Sequence, residues 1–295
     1  MWKTAVLCLF CSSLAWSLSE SERTEKVKDF FDSSMQEVSP KLKKWLTKQG
    51  VPKEQLFDTM LRSKYKRIAR RINRIEKHFK GPYVASSDII TPCQEYIVSA
   101  APPKKNLTSF WQTIIDRRVP TIVALVTPDF NPTEAYWDKS KYPMKLSEWV
   151  ITLHSEETLD TSVLLPHVKL IKRVFYAEGV RRDERRTIIH LHFANWPDHG
   201  PPVHEVFCGM LDYVDEVHRK DDRPIFVHCA GGIGRSGTFV AAHSLRKEYK
   251  RYRGPTTINI PQRIIELRTQ RPRLVSQPAQ LHAVYAAVAD LVAKG

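Results

Sequence analysis

The 295-residue chain has no apolar run long enough to cross a membrane, no internal repeat and no low-complexity segment. A spanning helix needs ~20 apolar residues, so a membrane channel is excluded. Cysteine is scarce, at five residues, and Cys8 and Cys11 both fall in the N-terminal apolar stretch. The three that remain, Cys93, Cys208 and Cys229, are an odd number and make no disulfide framework. Cys93 and Cys208 read as small buried hydrophobes. No spacing of His, Cys, Asp and Glu along the chain reads as a ligand set, so no metal and no cofactor is expected. Acid is also in short supply: 32 Asp+Glu stand against 46 Lys+Arg, a net charge of +14 and a pI near 9.6. Such an excess favours an anionic partner, whether nucleic acid, an acidic membrane surface or a phosphorylated substrate. At 42% hydrophobic and 26% charged residues the composition is globular, which excludes disordered, collagenous and coiled-coil chains. The length suits one large or two ordinary domains.

Residues 1–17 (MWKTAVLCLFCSSLAWS) join one early Lys, an apolar run and small residues, the three-part pattern of a secretory signal peptide. A signal anchor is the competing reading, but the run is shorter than the ~20 residues a span needs. The chain is therefore expected to be secreted. Residues 18–59 read as a polar helical extension, and residues 60–295 as one domain. Leu61, Tyr65, Ile68, Ile72, Ile75 and Phe79 recur at helical spacing, and Gly81-Pro82 end the pattern. The opposite face of this segment, 61–80, is densely basic. It suits a membrane surface or a nucleic acid; the favoured reading is that its stripe packs on the domain and its charges are solvated.

Beyond Pro92, strands and helices alternate. Thr121–Val126, Thr187–Phe193 and Pro224–His228 read as strands; Thr238–Tyr249, Ile264–Arg268 and Gln280–Ala293 read as helices. The fold class this implies is α/β, with a twisted, largely parallel mixed sheet flanked by helices.

Between the third of those strands and its helix lies Val227-His228-Cys229-Ala230-Gly231-Gly232-Ile233-Gly234-Arg235-Ser236-Gly237. Gly231, Gly232 and Gly234 let successive backbone N–H groups curl into a concave anion nest. A helix starting near Gly234 points its positive end at the same spot. Arg235 closes the ring and grips two oxygens of a phosphate. The same field stabilises a Cys229 thiolate as a nucleophile. Ala230 and Ile233 complete the set of expected anion-binding backbone positions.

His228-Cys229-x5-Arg235-Ser236 resembles the signature of the protein tyrosine phosphatases. Trp196-Pro197-Asp198-His199-Gly200 looks like the mobile loop that carries the family's general acid. Tyr96-Ile97 followed by Phe110-Trp111, and Leu274-Val275 through Gln280-Leu281, resemble segments of the classical, non-receptor-like, tyrosine-specific branch. The resemblance implies a phosphotyrosine-phosphatase-like fold, a catalytic domain over 60–295 and hydrolysis of protein phosphotyrosine through a cysteinyl-phosphate. In that reading Cys229 is the nucleophile, Asp198 the acid and then the base, and Arg235 the phosphate clamp. Ser236 bonds the departing thiolate, and His228 orients the loop and lowers the thiol pKa. Gln277 and Gln280 join the substrate-binding set. The partner is a phosphotyrosine-containing protein, ahead of nucleic acid, and the enzyme is a monomer that needs no metal.

The sequence departs from the family pattern in three places. Ala230-Gly231 replaces a Ser-Ala pair. Ser276 stands where the water-orienting glutamine is expected, with Gln277 next to it. The Lys-Asn-Arg-Tyr stretch that sets pocket depth has no clean counterpart, although Phe79 and Tyr83 lie nearby. Two alternatives follow: a weakly active, phosphotyrosine-capturing protein, and a phosphatase of another phosphoester. Asn106-Leu107-Thr108 is an N-glycosylation sequon, meaningful on export. A reactive thiolate in an oxidising compartment is vulnerable, which favours action after delivery into another cell.

Overall fold

The computed structural model describes residues 86–127, 135–159, 170–181, 183–194, 196–197, 200–219, 221–252 and 258–294. The proposed signal peptide, the helical extension and the basic stripe of 61–80 lie outside the described residues. So do Phe79, Tyr83, Asp198 and His199.

One eight-stranded sheet runs through the described residues. In chain order its strands are β1 (Ser86–Ile90), β2 (Glu95–Ala100), β3 (Thr121–Ala124), β4 (Met144–Lys145), β5 (Trp149–Leu159), β6 (Leu170–Gly179), β7 (Arg185–Phe193) and β8 (Ile225–Cys229). The helices are α1 (Leu107–Asp116), α2 (His204–Val217), α3 (Gly234–Tyr252), α4 (Ile260–Gln270) and α5 (Pro278–Lys294). The spatial order is β1-β2-β8-β3-β7-β6-β5-β4. The pairings β2–β8, β8–β3 and β3–β7 are parallel. Antiparallel neighbours extend the sheet on both sides, β1 at one edge and the β7–β6–β5–β4 run at the other. The expected mixed α/β sheet is thus observed, with its parallel pairings gathered at the centre.

That centre is buried on both faces, as parallel strands require. β8 is buried along its whole length. Strand alternation sends Ile225, Val227 and Cys229 to one core and Phe226 to the other. On the first face α2, α3, α4 and α5 cover the sheet, and on the second α1 does so. Helix α1 presents Leu107, Phe110, Trp111, Ile114 and Ile115 inward. Their spacing is i, i+3, i+4, i+7 and i+8, the stripe of a helix packed on a sheet.

Pattern-based boundaries shift by a few residues. The strand expected to end at His228 runs on through Cys229, because pairing with Ala100 holds the last residue in the ladder. The helix expected from Thr238 begins at Gly234, four residues earlier, as the loop reading anticipated. The sequence pattern does not mark β5 and β6. Six consecutive outer positions of β5, Leu153 to Thr158, are only partly buried or exposed, so its run of His, Ser, Glu and Thr carries little apolar alternation.

His218 caps the C-terminus of α2 and joins it to the sheet. Its Nε2 lies 2.9 Å from the Arg223 carbonyl and its Nδ1 3.2 Å from Thr121 Oγ1. Burial pushes its pKa down to about 4, so the ring is neutral in the folded protein. In the unfolded chain His titrates near 6.5. A depressed histidine therefore contributes its full stability above pH 6.5 and loses it as pH falls from there toward 4. Urea unfolding at pH 7 and pH 5 should show the native protein losing about 2 kcal/mol more between these values than a His218→Gln variant does. Equal losses would mean that His218 is not a neutral buried group.

Candidate active site

Cys229 ends the central strand β8 and is buried. Both neighbouring strands pin its backbone. Leu125 N donates to the His228 carbonyl at 2.8 Å, and Ala101 N to the carbonyls of Cys229 and Ala230 at 2.8 and 3.1 Å. The loop carbonyls that follow are also engaged. Arg271 Nε donates to Gly232 O at 2.8 Å and its Nη2 reaches Gly231 O at 3.4 Å. Ile233 O accepts from Gly237 N and Val275 N, and Gly234 O from Thr238 Oγ1. In a trans peptide the N–H points opposite the C=O. With the carbonyls of His228 to Gly234 turned outward, the N–H edges of the loop form its concave face, the geometry of an anion nest.

Glycine is required at two points. Gly232 has φ +64°, and a Cβ there would lie 2.2 Å from Ser99 O. A Cβ on Gly234 would lie 2.9 Å from both Gln280 Nε2 and Ser276 Oγ. The first residue of α3 is therefore packed directly on the 276–280 segment.

Arg235 follows in the first turn of α3, with a side chain almost wholly buried. Its Nη1 donates to Trp196 O at 3.2 Å. Trp196 in turn donates from Nε1 to Gly200 O at 3.1 Å and packs edge-on against Phe207 of α2. The loop thus touches the segment that flanks Asp198, while Asp198 itself lies outside the described residues. Ser236 is buried, and its Oγ has no hydrogen-bond partner among the described residues. Gln280 is buried, and its Oε1 accepts from Ser276 Oγ at 3.3 Å and Gln277 N at 3.2 Å. Gln277 joins this cluster through its backbone N–H. Val275, a β-branched residue at φ +56°, is held by Arg268, whose guanidinium donates to the carbonyls of Leu274 and Val275 at 2.5 and 2.7 Å. A β-branched side chain in the left-handed region is strained, and such strain persists only where neighbours impose it.

Behind the nucleophile a buried polar chain leads toward the surface. Tyr136 Oη lies 2.9 Å from His228 Nε2 and 2.8 Å from His190 Nε2. Arg173 Nη1 is 3.4 Å from His190 Nδ1 and 3.3 Å from His192 Nδ1, while its Nε donates to the half-exposed Glu156 at 2.5 Å. Burial, with a further push from His192, holds His228 down at about 3. Burial, with Arg173 beside it, likewise holds His190 well below the ordinary histidine range. A phenol has one proton to give, so Tyr136 donates to one neutral imidazole and accepts from the other. An uncharged His228 orients the loop but supplies no positive charge.

Sequence reasoning missed Arg268, Arg271, Tyr136 and Arg173, all of which arrive from distant segments. His190 and His192 carry a readable signal: two histidines at i and i+2 share one face of a strand, among Ile188, Ile189, Leu191 and Phe193. The sequon residues Asn106 and Thr108 are exposed at the start of α1.

A family model described as "Protein-tyrosine phosphatase" matches residues 59–290. Tyrosine-protein phosphatase 2 of Dictyostelium discoideum is 32% identical over 206 residues, covering 66% of this chain and 51% of that protein. Tyrosine-protein phosphatase non-receptor type 18 of Mus musculus is 26% identical over 229 residues, covering 76% of this chain and 49% of that protein. The chain therefore spans about half the length of these curated relatives. Among solved structures, one described as "Structural basis of PTPN18 fingerprint on distinct HER2 tyrosine phosphorylation sites" superposes with a TM-score of 0.62 at 22% identity, covering 73% of this chain and 76% of that chain. That likeness is one of fold.

The outward pull of Arg271 on the loop carbonyls can be tested apart from turnover. Arg271→Met keeps the apolar stem and removes the donors to Gly231 and Gly232. Calorimetric titration with inorganic phosphate should show affinity falling about tenfold, the loss of roughly one charge-assisted hydrogen bond. Unchanged affinity would mean that the loop holds its shape without that guanidinium.

Proposed function

The chain belongs to the protein-tyrosine phosphatase family, and from that premise we propose that it hydrolyses protein phosphotyrosine through a cysteinyl-phosphate on Cys229. The observation that carries the reading is the outward bonding of the carbonyls from His228 to Gly234, with Arg235 closing the same loop. The Cys229 thiolate attacks phosphorus in line, the P–O bond to the phenol breaks, and Asp198 gives its proton to the departing oxygen. Water then attacks the phosphocysteine, Asp198 takes back a proton, and phosphate leaves with the thiolate restored. The N–H groups from Ala230 to Arg235 and the Arg235 guanidinium hold the equatorial oxygens as charge shifts between them. Ser236, buried beside the loop with an uncommitted hydroxyl, is suited to donate to the thiolate as it leaves.

Arg235 bonds the Trp196 carbonyl, so closure of the 196–200 segment and the grip on phosphate share one side chain. That linkage suits a lid that brings Asp198 over the substrate only when the phosphate is seated. Residues 1–17 support export, and the unpaired, reactive Cys229 favours action in a reducing compartment after export. The basic segment 61–80 suits an acidic surface or an acidic substrate, and a monomer suffices for the site as described.

A second reading has its own observation. Ser276 lies against Gly234 and donates to Gln280, in the place where the family pattern expects a water-orienting glutamine. A serine is shorter by two methylenes' reach and carries no amide, so hydrolysis of the intermediate is the step it slows. Rapid mixing with a phosphotyrosine peptide should then give a burst of dephosphorylated peptide followed by a slower steady rate. Ser276→Gln should raise the steady rate severalfold and shrink the burst. Asp198→Ala should lower kcat by about 10²–10⁴-fold, and Cys229→Ser should abolish phosphate release. Turnover that survives Cys229→Ser would overturn the enzymatic reading, and a linear time course without a burst would overturn the role given to Ser276.

A further inference from the structure

Among the described residues, one group of metal-ligating side chains lies outside the Cys229 loop: His204, Cys208 and Asp290. The sequence conceals it, because His204 and Cys208 stand in the first turns of α2 whereas Asp290 comes from the last turns of α5. Cys208 was expected to be a buried small hydrophobe, and it is buried; the histidine one turn before it gives it a polar side.

The spacing fits a tetrahedral cation. Cys208 Sγ lies 3.9 Å from His204 Nδ1 and 3.8 Å from Nε2, and one ligand atom from each of the three residues falls within 4.8 Å of the others. With Zn–S near 2.3 Å and Zn–N near 2.0 Å, a tetrahedral site separates its sulfur and nitrogen by about 3.5 Å. The observed separations are somewhat longer, and the His204 ring must turn to aim one nitrogen at the ion. Thiolate, imidazole and carboxylate together are the donor set of a borderline-soft divalent ion. A cation at this spot would be held by Cys208 as the thiolate. Binding exchanges the thiol proton for the metal and releases that proton to solvent.

Two cations already approach Asp290: Lys294 Nζ at 2.9 Å and Arg246 Nη1 at 3.6 Å. Both pair with its Oδ2. Lys294 is an exposed chain at the end of α5, and Arg246 keeps Asp212 Oδ1 at 2.6 Å and Ala287 O at 2.7 Å. Asp290 Oδ2 is buried and makes no hydrogen bond of good geometry, so a metal would supply a better-directed partner.

We propose that His204, Cys208 and Asp290 bind a zinc ion with one position left to water, tying the first turns of α2 to α5. The consequence lies next door. Helix α2 starts four residues after Gly200, whose carbonyl holds the Trp196 ring. Phe193, Trp196, Phe207 and Met210 line one apolar pocket between that loop and α2. A metal at the start of α2 would fix one end of the 196–200 segment.

The test uses the full chain carrying Cys229→Ser, which removes the nucleophile as a rival thiol and makes the result independent of the catalytic reading. Zinc is titrated against a chromophoric chelator. One equivalent should bind, with affinity falling at least tenfold in His204→Ala and in Cys208→Ser. Cobalt in place of zinc should give a thiolate-to-metal charge-transfer band that Cys208→Ser abolishes. His204 is exposed, so His204→Ala keeps the fold, and circular dichroism checks both variants. Zinc affinity unchanged by His204→Ala, or cobalt binding without a thiolate band, would place the ion elsewhere and overturn the assignment.

Discussion

A loop that turns its N–H groups inward must turn its carbonyls outward, and a buried carbonyl left without a donor costs about 1–3 kcal/mol. That constraint organises this molecule. Donors to the carbonyls from His228 to Gly234 come from Leu125 just after β3, Ala101 just after β2, Arg271 and Val275, and the start of α3 itself. None can be supplied by the loop's own neighbours in sequence except the last. The central position of β8 follows directly: only a strand flanked on both sides can have its terminal carbonyls met by N–H groups of the adjoining strand ends. An edge strand would leave half of them to water.

The same constraint explains why so many charges are buried around so small a feature. Arg235, Arg268 and Arg271 are all nearly inaccessible, and burying a guanidinium is costly unless its fork is met. Arg268 and Arg271 spend their donors on backbone carbonyls, holding the strained Val275 turn and the loop. They are structural cations whose charge also falls close to the cradle. Arg235 bonds the Trp196 carbonyl. Three of the cations behind the net charge of +14 are thus gathered around one loop, each bonded to backbone carbonyls.

What the sequence disclosed and what it concealed follow from range. The loop of Cys229 to Arg235 was legible because its chemistry is local: glycines where the backbone must turn, a helix start, a nucleophile and a clamp within one span. The α1 stripe, absent from the sequence reading, and the boundary of β8 at Cys229 depend on what packs opposite. Arg271 is one of many basic residues until the fold sets it against Gly232, and Tyr136 is one of many aromatics until it stands between His228 and His190. Asp198 is the reverse case, named by a short motif while itself lying outside the described residues. His204, Cys208 and Asp290 show the same limit, since two helices distant in the chain must cross before the three become neighbours.

Two anchors bracket the segment of Trp196 to Gly200, and they differ in kind. On one side Arg235, from the loop of Cys229, holds the Trp196 carbonyl by a hydrogen bond. On the other, the Trp196 ring is fastened to Gly200 and to Phe207 of α2 by contacts that no anion touches. Through Trp196 the segment is thus tied at once to the Cys229 loop and to α2. The start of α2 therefore meets, through Phe207, the same residue that Arg235 holds.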